Sequence, residues 1–410
     1  MQRVSPMITT LPGKPRARGK VRVALFSGNY NCLADGANQA LNRLVAHLLR
    51  RGFAVRVYSP VVAQPAFEPA GELVGVPSIP FPGRGEYRLA LGLPAETRRD
   101  LDAFAPDIVH VSAPDILGRR AQAYATARGI PLVASLHTRF ETYFGFYGLG
   151  FIRGIIERYL QRFYRRCDLV LAPNRPLARM LEADGVEPGR IAVWSRGVDR
   201  AKFDPARRSA AWRRGHGIGE DELAVLFFGR LVREKGIADF AAAMSRADLP
   251  KVRAVVVGDG PARGEFERLL PEAVFAGHQT GEALGEAVAS ADVLLNPSAT
   301  EAFGNVNLEA MAAGLAVVSA DAPSSRELID HGRTGLLVPP GNIAGYAAAL
   351  ARLANDPGLR ARLAEAARAE SARYDWDAAL DKVVEDYRAL LVAAPAGKPA
   401  AHAPRRTAAA

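Results

Sequence analysis

Two stretches of this chain, one before residue 200 and one after it, repeat the same order: short apolar run, glycine-bearing loop, amphipathic helix, second apolar run. In the first stretch VRVALFS (21–27) reads as a buried strand, GNYNCLADGAN as a loop and ANQALNRLVAHLLRRG as a helix. Leu41, Leu44, Val45, Leu48 and Leu49 recur at helical spacing, and Gly52 sits at the stop. AVRVYSP, DIVHVSAP, PLVASLHT and DLVLAP (168–173) follow as strands. The order restarts with LAVLFFG (223–229), the loop GRLVREKG, the helix IADFAAAMSRA and the strands VRAVVVG, AVFAG, DVLLNPS and AVVSA. Strands that alternate with helices make βαβ units, and two such series predict two doubly wound α/β domains, over 21–200 and 201–372. The hinge is expected near Asp199 to Pro205, and RYDWDAALDKVVEDYRALL (373–391) reads as a final helix. Two such domains face each other across a cleft, and ligands bind at the carboxyl ends of the strands.

A length of 410 residues suits two domains. No run of about 18 uninterrupted apolar residues is present, so no membrane span is expected. Residues 1–20 are basic and contain proline without the apolar centre of a secretory signal, and read as a disordered arm. The Ala/Pro-rich residues 392–410 read as a disordered tail. Cys32 and Cys167, the two cysteines, form neither a metal spacing nor a disulfide framework, which fits a reducing cytoplasm.

TEAFGNVNLEAMAAG (300–314) holds two glutamates, Glu301 just before a helix start and Glu309 about one turn inside it. Between them, Phe303, Gly304 and Asn305 place open backbone N–H groups at the helix N-terminus, which is a phosphate site. Arg230 and Lys235, in GRLVREKG just past a strand, are placed to close on a diphosphate: one a planar fork, the other a point charge. Taken singly, these cations and acids read as solvated surface groups, and Glu301 as a charge that suits the helix dipole. Taken together they make a diphosphate site that needs no metal, and no DxD lies on a loop beside it. VVGDGPARG (256–264) mimics a dinucleotide fingerprint, but the spacing is G-x-G-x-x-x-G and the next strand ends without an acid for a ribose.

These motifs, with the Gly36 loop, SLHTRFETY (135–143) and SRGVD (195–199), resemble the family-4 retaining glycosyltransferases of the GT-B fold over roughly residues 21–390. Within that family the chain looks most like bacterial mannosyl-, glucosyl- and sulfoquinovosyl-type enzymes that glycosylate lipids. The resemblance implies transfer of a hexosyl unit from a nucleotide-sugar donor, GDP- or UDP-linked, with retention and without a metal or other cofactor. It implies that Glu309 bonds the nucleotide ribose, that Glu301 faces the transferred sugar and that His137 contacts that sugar and shapes the site. It further implies that Gly36 lets its loop pass close to the phosphate, that Arg139 and Tyr143 approach the acceptor, and that the final helix packs back on the first domain. Asn307, where Val or Thr is commoner, is expected near the donor. Two other classes share the architecture: a sugar-nucleotide epimerase, against which the glutamate spacing and the Arg/Lys loop argue, and a silent nucleotide-sugar binder.

Charge points to the acceptor. Residues 1–200 carry 28 Lys and Arg against 16 Asp and Glu, and the remainder 25 against 27. The basic half attracts an anionic partner. Neither a helix-turn-helix, a zinc finger nor an aromatic-interleaved basic stripe suggests nucleic acid. In 146–168, Phe151, Ile152, Ile155, Ile156, Tyr159, Leu160 and Phe163 recur at helical spacing beside Arg153, Arg158, Arg162, Arg165 and Arg166. The expectation is a lipid acceptor at an anionic membrane surface, with the protein peripheral on the inner face of the cytoplasmic membrane. The alternative for this helix is an ordinary core-facing element with solvated arginines.

Overall fold

A computed structural model describes residues 19–393 except 34, 82–83, 138–152, 248 and 250. The first half contributes strands β1 (Arg22–Phe26), β2 (Ala54–Ser59), β3 (Glu72–Gly75), β4 (Ser78–Phe81), β5 (Arg84–Ala90), β6 (Ile108–Val111), β7 (Leu132–Ser135), β8 (Leu169–Ala172) and β9 (Ile191–Val193). Seven of them form a parallel sheet in the order β3-β2-β1-β6-β7-β8-β9, and β4 pairs with β5 in an antiparallel hairpin. The second half contributes β10 (Leu223–Phe228), β11 (Val252–Val257), β12 (Val274–Gly277), β13 (Val293–Asn296), β14 (Ala316–Ala320) and β15 (Leu336–Val338), in the parallel order β12-β11-β10-β13-β14-β15.

Both sheets are covered on both faces, because successive side chains of a strand point to opposite sides. In β1, Ala24 and Phe26 enter one core while Val23 and Leu25 enter another. In β10, Val225 and Phe227 separate in the same way from Ala224, Leu226 and Phe228. The two sheets therefore carry four layers of helix, which is the two-domain α/β architecture the alternating pattern predicts.

The last helix, Trp376–Ala393, begins three residues later than its sequence reading, because Asp375 Oδ1 accepts the Ala378 N–H at 2.8 Å and sets the start. Its Leu380, Val383, Val384 and Tyr387 are buried in the same core as Leu41, Leu44 and Leu48 of the helix Gly36–Arg50, on the first sheet. Full burial of such side chains contributes about 1.5–3 kcal/mol each, enough to hold the helix there. His47 Nε2 meets Asp381 Oδ1 at 2.7 Å and fixes the register of the two helices.

Strands β3, β4 and β5 were not expected. Pro77, Pro80, Pro82, Gly83 and Gly85 break up their sequence, and Ile79 and Phe81 of the hairpin are exposed, so no buried face leaves an alternating pattern to read.

Candidate active site

The helix Asn305–Ala312 begins behind Gly304, which has φ 95°. Gly304 turns its carbonyl inward to accept from Asn307 and Leu308 at 3.0 and 3.2 Å. The N–H groups of Phe303, Gly304, Asn305 and Val306 find no acceptor among the described residues, so this end carries unmatched donors and the positive pole of the helix. The Phe303 ring is core, 6.1 Å from that of Tyr374, and only its amide serves the site. The Asn307 side chain is closed off from solvent. It is fully buried beneath the helix, accepting from Asn296 Nδ2 at 2.9 Å and donating to Ser319 Oγ at 3.1 Å, and so ties the helix start to the ends of β13 and β14.

The loop after β10 brings the two cations in from the side. It is held by close backbone packing: a Cβ on Gly258 would stand 1.9 Å from the Gly229 carbonyl oxygen. Gly258 and Gly260 of VVGDGPARG therefore serve the fit of one loop on another. Lys235 forms an ion pair with Glu301, with side chains 28% and 13% exposed. Arg230 crosses between the domains: Nη1 donates to the Tyr87 hydroxyl, and the guanidinium lies 4.9 Å from the centre of that ring. Tyr87 is on β5, in the unforeseen hairpin.

The first domain supplies the facing wall. Asp35 caps the helix Gly36–Arg50, accepting the Asn38 N–H at 2.8 Å. Burial raises its carboxyl above the usual range, while the Asn38 N–H and the charges of Arg230 and Lys235 oppose this. Gly36 faces the Asn305 side chain, where the two helix starts meet. Glu309, in the first turns of its helix, is pushed up to about 7 by burial, against the pull of Lys202 and Arg43 and with a small addition from Glu301. Asn174, after β8, donates to the Ala302 carbonyl at 2.7 Å and lays the segment of Glu301 over the strand ends of the first sheet.

His137 follows β7. Its Nδ1 lies 2.8 Å from Arg196 Nη2 and its Nε2 2.7 Å from Ser135 Oγ. A guanidinium only donates, so Nδ1 accepts and the proton is on Nε2, directed at Ser135. Burial, the Arg196 charge and His110 hold the imidazole well below its usual pKa, and hence neutral. Both ring nitrogens are thus engaged within the protein in this arrangement. The line continues from Ser135 Oγ to His110 Nε2 at 2.9 Å and from His110 Nδ1 to the Tyr387 hydroxyl at 2.5 Å. His110 is enclosed, and burial lowers its pKa to about 3.

Arg139 and Tyr143 lie outside the described residues, as do Phe151 and Ile152. In the helix Arg153–Tyr164, Phe163 and Tyr164 are buried and Leu160 packs on the first core, so the second half of its apolar face is core. Ile155 is 60% exposed, and Arg153, Arg158, Arg162, Arg165 and Arg166 all face solvent. Among the described residues no helix is long and apolar enough to cross a membrane, and no three His, Cys, Asp or Glu side chains are grouped to hold a metal.

Residues 209–370 match the family model of glycosyl transferases group 1, and residues 34–202 that of glycosyltransferase family 4. The chain is 32% identical over 387 residues to the sulfoquinovosyl transferase SQD2 of Arabidopsis thaliana, covering 92% of this chain and 74% of that one. It is 32% identical over 379 residues to a GDP-mannose-dependent alpha-mannosyltransferase of Mycobacterium tuberculosis, covering 90% and 97%. Among solved structures it is similar to a sucrose-phosphate synthase from Thermosynechococcus elongatus, with a TM-score of 0.76 and 22% identity over 91% of this chain and 100% of that one. That likeness is one of fold, the two facing Rossmann-like domains termed GT-B.

Proposed function

The chain belongs to the group 1 glycosyl transferases, and on that premise we propose that it moves a hexosyl unit from a nucleoside-diphosphate sugar to a hydroxyl of a membrane lipid, with retention and without a metal. Glycosyl transfer itself follows from the family. The observation that carries the finer reading is the gathering of Arg230, Lys235 and the open amides of 303–306 around one helix start. A diphosphate seated there meets charge-assisted donors on two sides, and Lys235 exchanges the Glu301 carboxylate for phosphate oxygen. Glu301, released, faces the sugar, and Glu309 accepts from the ribose hydroxyls.

In the proposed step the bond from the anomeric carbon to the diphosphate oxygen breaks. The acceptor oxygen bonds to the same face of that carbon, and its proton passes to the departing diphosphate. Arg230, Lys235 and the amides stabilise the negative charge that grows on the leaving group, where fixed donors lower the barrier most. The neutral His137, braced at both nitrogens, walls the sugar side and excludes water.

For a lipid acceptor the support is the basic first half and the exposed arginines around Ile155, each worth about 1 kcal/mol beside an anionic surface. The names of relatives that transfer sulfoquinovose and GDP-linked mannose support the nucleotide-sugar donor. The deciding experiment incubates the protein with GDP- and UDP-hexoses and a membrane lipid extract, and follows glycolipid formation and anomeric configuration by NMR. Vesicle sedimentation runs in parallel, with Arg158, Arg162 and Arg166 replaced by Glu. Arg165 is spared because its Nε holds the Asp184 carbonyl at 2.7 Å. Transfer to a water-soluble alcohol alone, with equal sedimentation of both proteins, would replace the lipid acceptor by a soluble one.

A further inference from the structure

The hairpin of β4 and β5 forms a sheet of its own beside the first parallel sheet. A two-stranded hairpin is marginal by itself and depends on ties to its surroundings. Asn29, in the loop after β1, takes the place of a neighbouring strand: its Oδ1 accepts the Arg88 N–H at 2.7 Å and its Nδ2 donates to the Arg88 carbonyl at 3.1 Å. The Arg88 side chain folds back on β4, with Nε donating to Ser78 Oγ and Nη2 to the Ser78 carbonyl, both at 3.1 Å. Farther out, Ile79 and Phe81 are 45% and 47% exposed. Next to this clasp the pairing of the strands breaks register. Pro80 pairs with Arg88 but Phe81 with Arg84, so the backbone of Gly85, Glu86 and Tyr87 bulges from β5. Bulges re-aim the side chains they carry and gather beside active sites. Tyr87, on this bulge and one residue from the clasp, reaches the other domain and meets Arg230 with both its hydroxyl and its ring.

The effect of the contact falls on Arg230. A guanidinium on a long, half-buried side chain samples many rotamers. Bonded at Nη1 and laid over an aromatic ring, it is confined to a few. In the pose so held, its charge is felt by the carboxyl of Asp35, next to Gly36, at the point where the two helix starts meet. The phenol takes one of the five N–H groups of the planar fork. Tyr87 therefore confines the cation at the place where the diphosphate is expected, and a donor fixed beforehand needs no reorganisation when charge arrives.

We propose that Tyr87 is a positioning residue: from the first domain it sets Arg230 of the second on the diphosphate, so that this cation is in place only while the two domains are together. This rests on the transferase reading above and adds a residue of the opposite domain to its diphosphate site. A donor that enters an open cleft meets Lys235 and the helix amides but an unbraced Arg230. Its leaving group is fully stabilised only after closure, which withholds cleavage until bulk water is shut out.

Calorimetric titrations of the full chain with UDP and GDP supply the test, on the wild type, Tyr87→Phe, Arg230→Ala and the double variant, with thermal melts to check folding. Tyr87→Phe keeps the ring and deletes the hydroxyl. It should weaken binding of the preferred nucleotide about tenfold, the scale of one hydrogen bond to a charged group. In the Arg230→Ala background the same substitution should change affinity by less than about twofold, because the group it acts through is gone. A tie that only steadies the hairpin would not depend on Arg230 in this way. Asn29→Ala, which opens the clasp at Arg88 and touches neither partner, should weaken binding in the wild-type background and be silent in Arg230→Ala. If neither nucleotide binds the wild type, the transferase reading fails and this inference with it. If a nucleotide binds but Tyr87→Phe matches the wild type, or costs as much without Arg230 as with it, Tyr87 does not position that cation and the transferase reading stands.

Discussion

Gly36 and Asn305 each open a helix, one in either domain, and they touch so closely that a Cβ on Gly36 would stand 2.3 Å from Nδ2 of Asn305. The cleft has no room for a methyl group at that point. Gly36→Ala is expected to leave each domain folded but to push the Asn305 side chain and its amide off the diphosphate position. Turnover should fall about tenfold or more, since misplacement of about 1 Å is enough for larger losses. Adding Asn305→Ala removes the obstructing amide and should restore most of the activity. Equal losses in the single and double variants would show that the steric contact is not the cause.

Arg230→Ala and Lys235→Ala should each lower turnover by about two orders of magnitude or more, the scale of removing one fixed donor from a developing anion. Both side chains are partly solvated, so thermal unfolding should shift little. Lys235→Ala also strips Glu301 of its partner, so Lys235→Ala with Glu301→Gln tests whether the loss is of phosphate contact or of charge balance. Near-normal turnover in either alanine variant would remove that cation from the diphosphate site.

Turnover should persist in EDTA. In the proposed function the fixed cations and helix amides take the part that a metal would otherwise play in neutralising the diphosphate. Initial rates measured after dialysis against chelator, then with added magnesium or manganese, decide it. A rate abolished by dialysis and recovered with metal would contradict the metal-free reading.

Glu309 gives a pH signature. Its carboxyl is raised from an ordinary 4.5 to about 7, so the folded state holds the proton more tightly than the unfolded chain. Stability from this group is therefore full below pH 4.5 and declines as pH rises to about 7. Glu309→Gln should match the wild type in thermal melts at acid pH and exceed it above neutrality. Nucleotide affinity should respond in the opposite direction: it should tighten through about pH 7 in the wild type, as the carboxylate becomes a stronger acceptor for ribose, with a weaker response in Glu309→Gln. Parallel pH profiles for the two proteins would exclude Glu309 as that acceptor.

The alternation of elements was legible because each central strand is short, apolar and buried on both faces, as in LAVLFF of β10. The hairpin of β4 and β5 was not, and with it went Tyr87, the partner of Arg230. The loop of Arg230 and Lys235 was legible because it directly follows a strand. The Lys235–Glu301 pair was not, since 66 residues separate them and only the folded loop brings them together. His137 could be placed after its strand, yet the engagement of its nitrogens depends on Arg196, 59 residues away. Asp35 reads in sequence as one more loop acid; its raised carboxyl facing two cations comes from the meeting of the domains.

The helix Trp376–Ala393 has a consequence for the order in which this protein comes into being. Leu380, Val383, Val384 and Tyr387 complete the core of the first sheet, yet the ribosome makes them after the whole of the second domain. Growing chains emerge at about 5–20 residues per second, so the first domain waits roughly ten to forty seconds for its last layer. During that interval Leu41, Leu44 and Leu48 lack their cover and His110 lacks its phenol partner. The half made first is the half finished last, and a nascent chain halted before residue 376 presents an apolar face for chaperones to hold.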